Sequence, residues 1–185
     1  MKSTLPLLLS ATLTLPVFAE PAATTDAAPQ KIEREFMTEE DFGGRNLEGT
    51  KFHWVRMNEA TFKDGLISGA TFTQCDLSNS DLRGAKLGDN TTFTQVLMND
   101  ANLEGLDLMG ADFDKVNLRG ANLQGTKNFG KVSKTTFDGA DLRGADLSSI
   151  PTPLVEVTFD KAIYDEKTRF PEGVDPTAAG AIKKS

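Results

Sequence analysis

The apolar residues of this 185-residue chain recur at every fifth position. From Phe42 the series runs through Leu47, Phe52, Met57, Phe62, Ile67, Phe72, Leu77, Leu82 and Leu87 without a polar member. After one extra residue it resumes at Phe93 and continues through Met98, Leu103, Leu108, Phe113, Leu118 and Leu123. An α-helix, with about 3.6 residues per turn, would scatter residues five apart over several faces. A straight strand fails too, because its side chains alternate and an odd spacing sends successive members to opposite sides. The chain must turn once per five residues. A unit that small can bury its apolar side only against copies of itself.

The residue two before each centre is small: Ala60, Ala70, Ala85, Ala101, Ala111, Ala121, Ala140 and Ala145. Asp or Asn often stands between, as at Asp76, Asp81, Asn102, Asp112, Asn122, Asp141 and Asp146. Units such as Ala-Asn-Leu-Gln-Gly (121–125) and Ala-Asp-Leu-Arg-Gly (140–144) resemble the A-(D/N)-L-x-x pattern of the pentapeptide-repeat family. The resemblance covers roughly residues 40–165. It implies an all-β solenoid, a right-handed four-sided β-helix of about five to six coils, with about 20 residues per coil and coils about 4.8 Å apart. It also implies that centre and small residue point inward and the other three positions outward.

A four-sided coil predicts that every fourth centre stacks in one column. One column reads Phe52, Phe72, Phe93 and Phe113, at spacings of 20, 21 and 20, with Phe137 and Phe159 as its expected continuation. The next reads Met57, Leu77, Met98, Leu118, Leu142 and Tyr164. Interruptions at 88–92, 128–136 and 148–158 all precede the Phe column, so they gather at one corner. Insertions in solenoids often mark the binding side.

The termini read differently from the repeat. Lys2, the apolar stretch Leu5–Leu15 and the small-residue site Val17-Phe18-Ala19 predict a secretory signal cleaved after about Ala19. The stretch is too short to span a bilayer, which needs about 20 apolar residues. No Cys follows the site, which argues against a lipid-anchored chain. Residues 20–30, rich in Ala, Thr and Pro, read as a linker. Residues 31–41, with Ile32, Phe36 and Met37 among charges, suit a short amphipathic helix and read as a helical or irregular cap on the first coil, ahead of a repeat domain over 42–165. Residues 166–185 read as a helical or irregular C-terminal cap, in which Asp175 and Pro176 suit the start of a short helix. This closing segment resembles that of exported or lumenal members of the family, with Val174 where they commonly carry Phe.

Reactive chemistry is sparse. Cys75 falls in an inward column with Val55, Val96 and Val116 and reads as a small buried hydrophobe. The single His53 has no second His or Cys for a metal and no nucleophile at a telling spacing. His53 and Trp54 should face outward, where Trp is a frequent binding anchor. Asp114, Asp138 and Asp160 are expected to stack in successive coils and form the one weak candidate cation site. The expectation is no bound metal and no cofactor, and no pair of carboxylates faces another across a cleft as a glycosidase requires. The chain therefore reads as a non-enzyme.

The net charge of −7 argues against nucleic acid and anionic membranes as partners. These features point to a non-catalytic periplasmic or otherwise exported interaction or structural scaffold. It would bind a protein of the cell envelope and have no membrane span after cleavage, with self-association left open. Contact candidates are His53, Trp54, Asp89, Asn90, Lys131 and Lys134. The family offers an alternative, a DNA mimic acting on a topoisomerase such as DNA gyrase, which would require a cytosolic location.

Overall fold

In a computed structural model, which describes residues 30–88 and 90–184, the chain winds as a parallel β-solenoid. The expected signal, most of the linker and Asp89 lie outside the described residues. On the first face, six strands pair in parallel in sequence order: β1 (Lys31–Glu33), β2 (Lys51–His53), β3 (Thr71–Thr73), β4 (Thr92–Thr94), β5 (Asp112–Asp114) and β6 (Val132–Ser133). On another face, β7 (Ile163–Tyr164) pairs in parallel with β8 (Ile182–Lys183). Single parallel bridges carry the remaining faces.

Off the first face, most five-residue units close the same way. The N–H three residues after a centre donates to that centre's carbonyl, as in Ala60 to Met57 (3.1 Å) and Gly65 to Phe62 (2.9 Å). The residue two after the centre has positive φ, the mark of a type II turn. The Asp or Asn before the centre accepts the N–H two residues on, as in Asp81 Oδ1 from Arg83 (3.0 Å) and Asn117 Oδ1 from Arg119 (3.0 Å). The repeat's preference for Asp and Asn is therefore a turn requirement. Where Ser or Thr replaces the small Ala, its hydroxyl donates to the same carbonyl: Ser80 to Leu77 (2.6 Å), Thr126 to Leu123 (2.8 Å). Among the described residues no buried side-chain polar atom lacks a partner.

The centres form the core. Phe52, Phe72, Phe93 and Phe113 are buried, with rings stacked at 4.8, 5.0 and 5.0 Å. Below Phe113 the expected column fails. Val132 lies opposite Phe113, 19 residues on, so Phe137 moves one face along, beneath Leu118. Phe159 stacks on Phe137 at 5.2 Å in that second column. Leu142 and Tyr164 shift likewise into the third column, below Leu123. The reason is a shortened corner. Leu123 to Val132 spans nine residues where two units need ten. Asn128, at the next centre by spacing, is exposed, and neighbouring Phe129 is buried, its ring 6.0 Å from Phe113 and 6.2 Å from Phe137. Segment 128–136 is thus a one-residue contraction containing β6, and no insertion. It still occupies the corner that holds the extra residue after Leu87 and the two extra residues after Leu147.

At neither end does the helical option hold. Residues 31–41 form no helix. They are the first coil, with Ile32 opposite Phe52 and Asp41 opposite Thr61. At the C-terminus Asp175 Oδ1 does accept the N–H groups of Thr177 (2.9 Å) and Ala178 (3.2 Å), but the segment makes turns only and re-enters the solenoid at β8. Among the described residues there is no helix. Winding at both ends gives about eight levels, read down the third column as Phe42, Phe62, Leu82, Leu103, Leu123, Leu142, Tyr164 and Lys183. This exceeds the five to six coils expected. Phe170 closes the last coil edge-on against Phe159 (5.6 Å) and Tyr164 (5.4 Å).

The contracted corner makes its own stability test. A Cβ at Gly130 would lie 2.0 Å from the Gly110 carbonyl oxygen, whereas one at Gly105, where φ is +70°, meets nothing within 4 Å. Gly105→Ala should cost only the left-handed backbone penalty, about 1–2 kcal/mol. Gly130→Ala should lower the thermal midpoint clearly more, because backbone must move.

Candidate interaction groove

The corner between the first and second faces is built without glycine. Its positive-φ residues are Arg34, Trp54, Gln74, Gln95, Lys115, Lys134 and Glu156, one above another. Each side chain there is long, so the corner stands up as a ridge. Beside it runs the second-face ladder Phe36, Arg56, Asp76, Leu97, Asn117, Thr136 and Thr158. Between ridge and ladder lies an open concavity of about 640 Å³, lined over the first four coils by Arg34, Phe36, Trp54, Arg56 and Leu97 and by two acidic residues, Glu35 and Asp76, with Val55 and Cys75 also among its lining.

Three apolar side chains stay in solvent there: Phe36 is 74% exposed, Trp54 44% and Leu97 44%. Two guanidiniums cover aromatic faces across adjacent coils. Arg34 lies 4.8 Å from the Trp54 ring centroid, and Arg56 lies 5.2 Å from that of Phe36. The five other arginines reach carboxylates: Arg45 to Glu40 (while also lying 5.6 Å from the Phe42 ring centroid), Arg83 to Asp81, Arg119 to Asp138, Arg143 to Asp141 and Arg169 to Asp146. Stacking leaves the in-plane N–H edge of a guanidinium available to a carboxylate.

His53 borders the ridge. Its Nδ1 is 3.2 Å from Glu33 Oε1 and its Nε2 3.1 Å from Gln74 Oε1, and its ring is 5.0 Å from Trp54. The bonds to Lys31 and then His53 hold the Glu33 carboxyl below its ordinary value. Cys75 is buried, its thiol near the Phe52 carbonyl (3.5 Å) and the Thr73 carbonyl (3.4 Å), and burial pushes its pKa up. Such a thiol is a poor nucleophile.

The other sequence candidates scatter. Lys134 stands on the same ridge, several coils below Trp54. Asn90 and Lys131 are exposed at the irregular corner on the far side of the first face, where the Lys131 N–H donates to Asp112 Oδ1 (2.7 Å). The three-carboxylate ladder does not form, because the contraction separates its members. Asp114 lies opposite Ser133, whose hydroxyl donates to it (2.7 Å). Asp138 and Asp160 do stack on the second face, where Asp138 accepts the Asp160 N–H (2.9 Å) and lies 3.5 Å from Arg119. Among the described residues no group of three or more His, Cys, Asp or Glu is placed to hold a metal ion. Sequence reading found Trp54 and His53 but missed Arg34 and Phe36, because treating 31–41 as a helix removed the first coil from the register; Arg56, which stacks on Phe36, was missed with it, and Leu97, an outward residue before Met98, carries no sequence signal of its own.

The family model for pentapeptide repeats matches eight copies, over residues 67–89 and 89–125. A pentapeptide repeat protein from Nostoc PCC 7120 is 34% identical, over 50% of this chain and 84% of that one, with a TM-score of 0.28. One from the Arabidopsis thaliana thylakoid lumen is 30% identical, over 64% of this chain and 68% of that one, with a TM-score of 0.34. The chain belongs to the pentapeptide-repeat family. HetL, a pentapeptide repeat protein involved in heterocyst differentiation regulation in Nostoc sp. strain PCC 7120, is 17% identical over 82% of each chain, with a TM-score of 0.46. No curated protein sequence matches significantly. The matched pentapeptide units begin at Ile67, so Arg34, Phe36, Trp54 and Arg56 all precede them in the chain.

If Cys75 sits on the inner side of the wall, it should resist a water-soluble thiol reagent at pH 8 in the native protein. Full labelling should appear only in denaturant. Rapid native labelling would contradict that placement.

Proposed function

We propose that this chain is a non-catalytic interaction scaffold of the cell envelope, exported and held rigid so that one side can receive a partner. The observation that carries the reading is the groove. A solenoid whose outward positions are mostly polar leaves Phe36, Trp54 and Leu97 exposed together, beside two arginines turned to rings. Aromatic and Arg side chains are the groups most often found where binding energy concentrates. The groove's one thiol is buried, and the imidazole of His53 beside the ridge is engaged by Glu33 and Gln74, which supports binding over catalysis. Residues 2–19 support export by composition.

Two measurements test this together. Fractionation with N-terminal sequencing should find a mature chain starting at Glu20 outside the cytosol. A photo-reactive residue in place of Trp54, in the producing cell, should give a discrete cross-linked species, and one in place of Asn90 serves for comparison. Full-length chain confined to the cytosol, or no cross-link from either position, would overturn the reading.

A further inference from the structure

Building on the scaffold reading, we propose that the groove docks an extended acidic-then-apolar segment of a protein, with carboxylates at Arg34 and Arg56 and an apolar side chain at Leu97.

The arrangement along the groove sets this order. Its first two coils carry Arg34 over Trp54 and Arg56 over Phe36. Neither guanidinium is within 4 Å of a carboxylate among the described residues, in a chain of net charge −7 whose other arginines are ion-paired. The third coil presents Asp76, whose Oδ1 accepts the Ser78 N–H at 3.0 Å. The fourth presents Leu97. At the first two coils the two arginines outnumber Glu35; a uniformly acidic ligand would run on into Asp76, and a basic one would meet both arginines. A ligand that is acidic at one end and apolar at the other meets neither difficulty. From the Phe36 level to the Leu97 level is three coil steps, about 14 Å at the β spacing, or about four residues of extended chain. Arginines stacked on rings are preorganised, since their planes are already fixed and their N–H forks suit carboxylates. Exposed Phe36 and Leu97 favour a peptide over an anionic glycan, which has no apolar side chains to offer.

Trp54, the chain's only tryptophan, lies in the groove and reports directly on its occupancy. The probe is the peptide Glu-Glu-Ser-Ser-Leu with blocked ends, titrated to millimolar concentration. Controls are Lys-Lys-Ser-Ser-Leu and Glu-Glu-Ser-Ser-Ser. The expected result is a saturable change in Trp54 emission with the first peptide, weakened by added salt and absent with the lysine peptide. Arg34→Gln with Arg56→Gln should weaken binding about tenfold or more. Leu97→Ser, which leaves both arginines in place, should weaken it too and cover the case in which the double variant misfolds. Equal response to acidic and basic peptides, no response at all, an unchanged Kd in these variants, or tighter binding of oligogalacturonate or phosphatidylglycerol vesicles would overturn the assignment. A partner cross-linked through position 90 alongside a silent peptide titration would sink the groove assignment while leaving the scaffold reading standing.

Discussion

The parallel backbone hydrogen bond between one coil and the next governs everything else here. It runs down every wall, as in Phe42 N–H to the Thr61 carbonyl (2.8 Å) and Thr61 N–H to the Glu40 carbonyl (3.1 Å). Because it fixes the rise at one β spacing, equivalent residues in successive coils must lie directly over one another. Phe rings then stack, small residues share one inner column, and whatever sits at a corner becomes a ridge. The chain cannot place a single outward side chain without placing a column. The groove follows from that constraint: two outward columns, each mixed in chemistry, run side by side along one corner.

That corner also shows how the fold accommodates strain. A non-glycine residue in the left-handed region costs on the order of 1 kcal/mol, and this corner holds seven of them. Other corners use glycine at many levels, including Gly44, Gly49, Gly84 and Gly105. The retained side chains are therefore held at a conformational cost, and at Arg34 and Trp54 they are the ones that line the groove. Inter-coil hydrogen bonds and buried centres on both sides hold the corner in place.

Much of this was legible in the sequence. The fivefold spacing excluded helix and simple strand, the Phe column counted the early coils, and the inward place of Cys75 followed from its neighbours Val55 and Val96. Of the readings that failed, two show the physical reason most plainly. Residues 31–41 carry a helical-looking scatter of Ile32, Phe36 and Met37, yet the coil beneath offers a hydrogen-bonding template that outweighs local propensity. The column below Phe113 was misassigned because Phe137 matches by residue type, whereas β6 matches by length. A contraction of one residue between Leu123 and Val132 is invisible in apolar periodicity when Phe129 fills the space. The candidate site suffered accordingly. The Asp114, Asp138 and Asp160 ladder depended on the wrong register, and the ring pairings of the groove's two arginines, each of which involves a first-coil residue, depended on recognising that coil.

The register at that contraction is the most direct test of the whole account. In a Cys75→Ala background, Asp114→Cys paired with Ser133→Cys places two thiols on residues directly opposed across β5 and β6. Their separation, about one β spacing, lies within disulfide reach. Asp114→Cys paired with Asp138→Cys places them on different faces. The account predicts rapid, near-complete oxidation of the first pair under mild oxidant and none of the second. Cross-linking of the 114–138 pair in preference to 114–133 would contradict it.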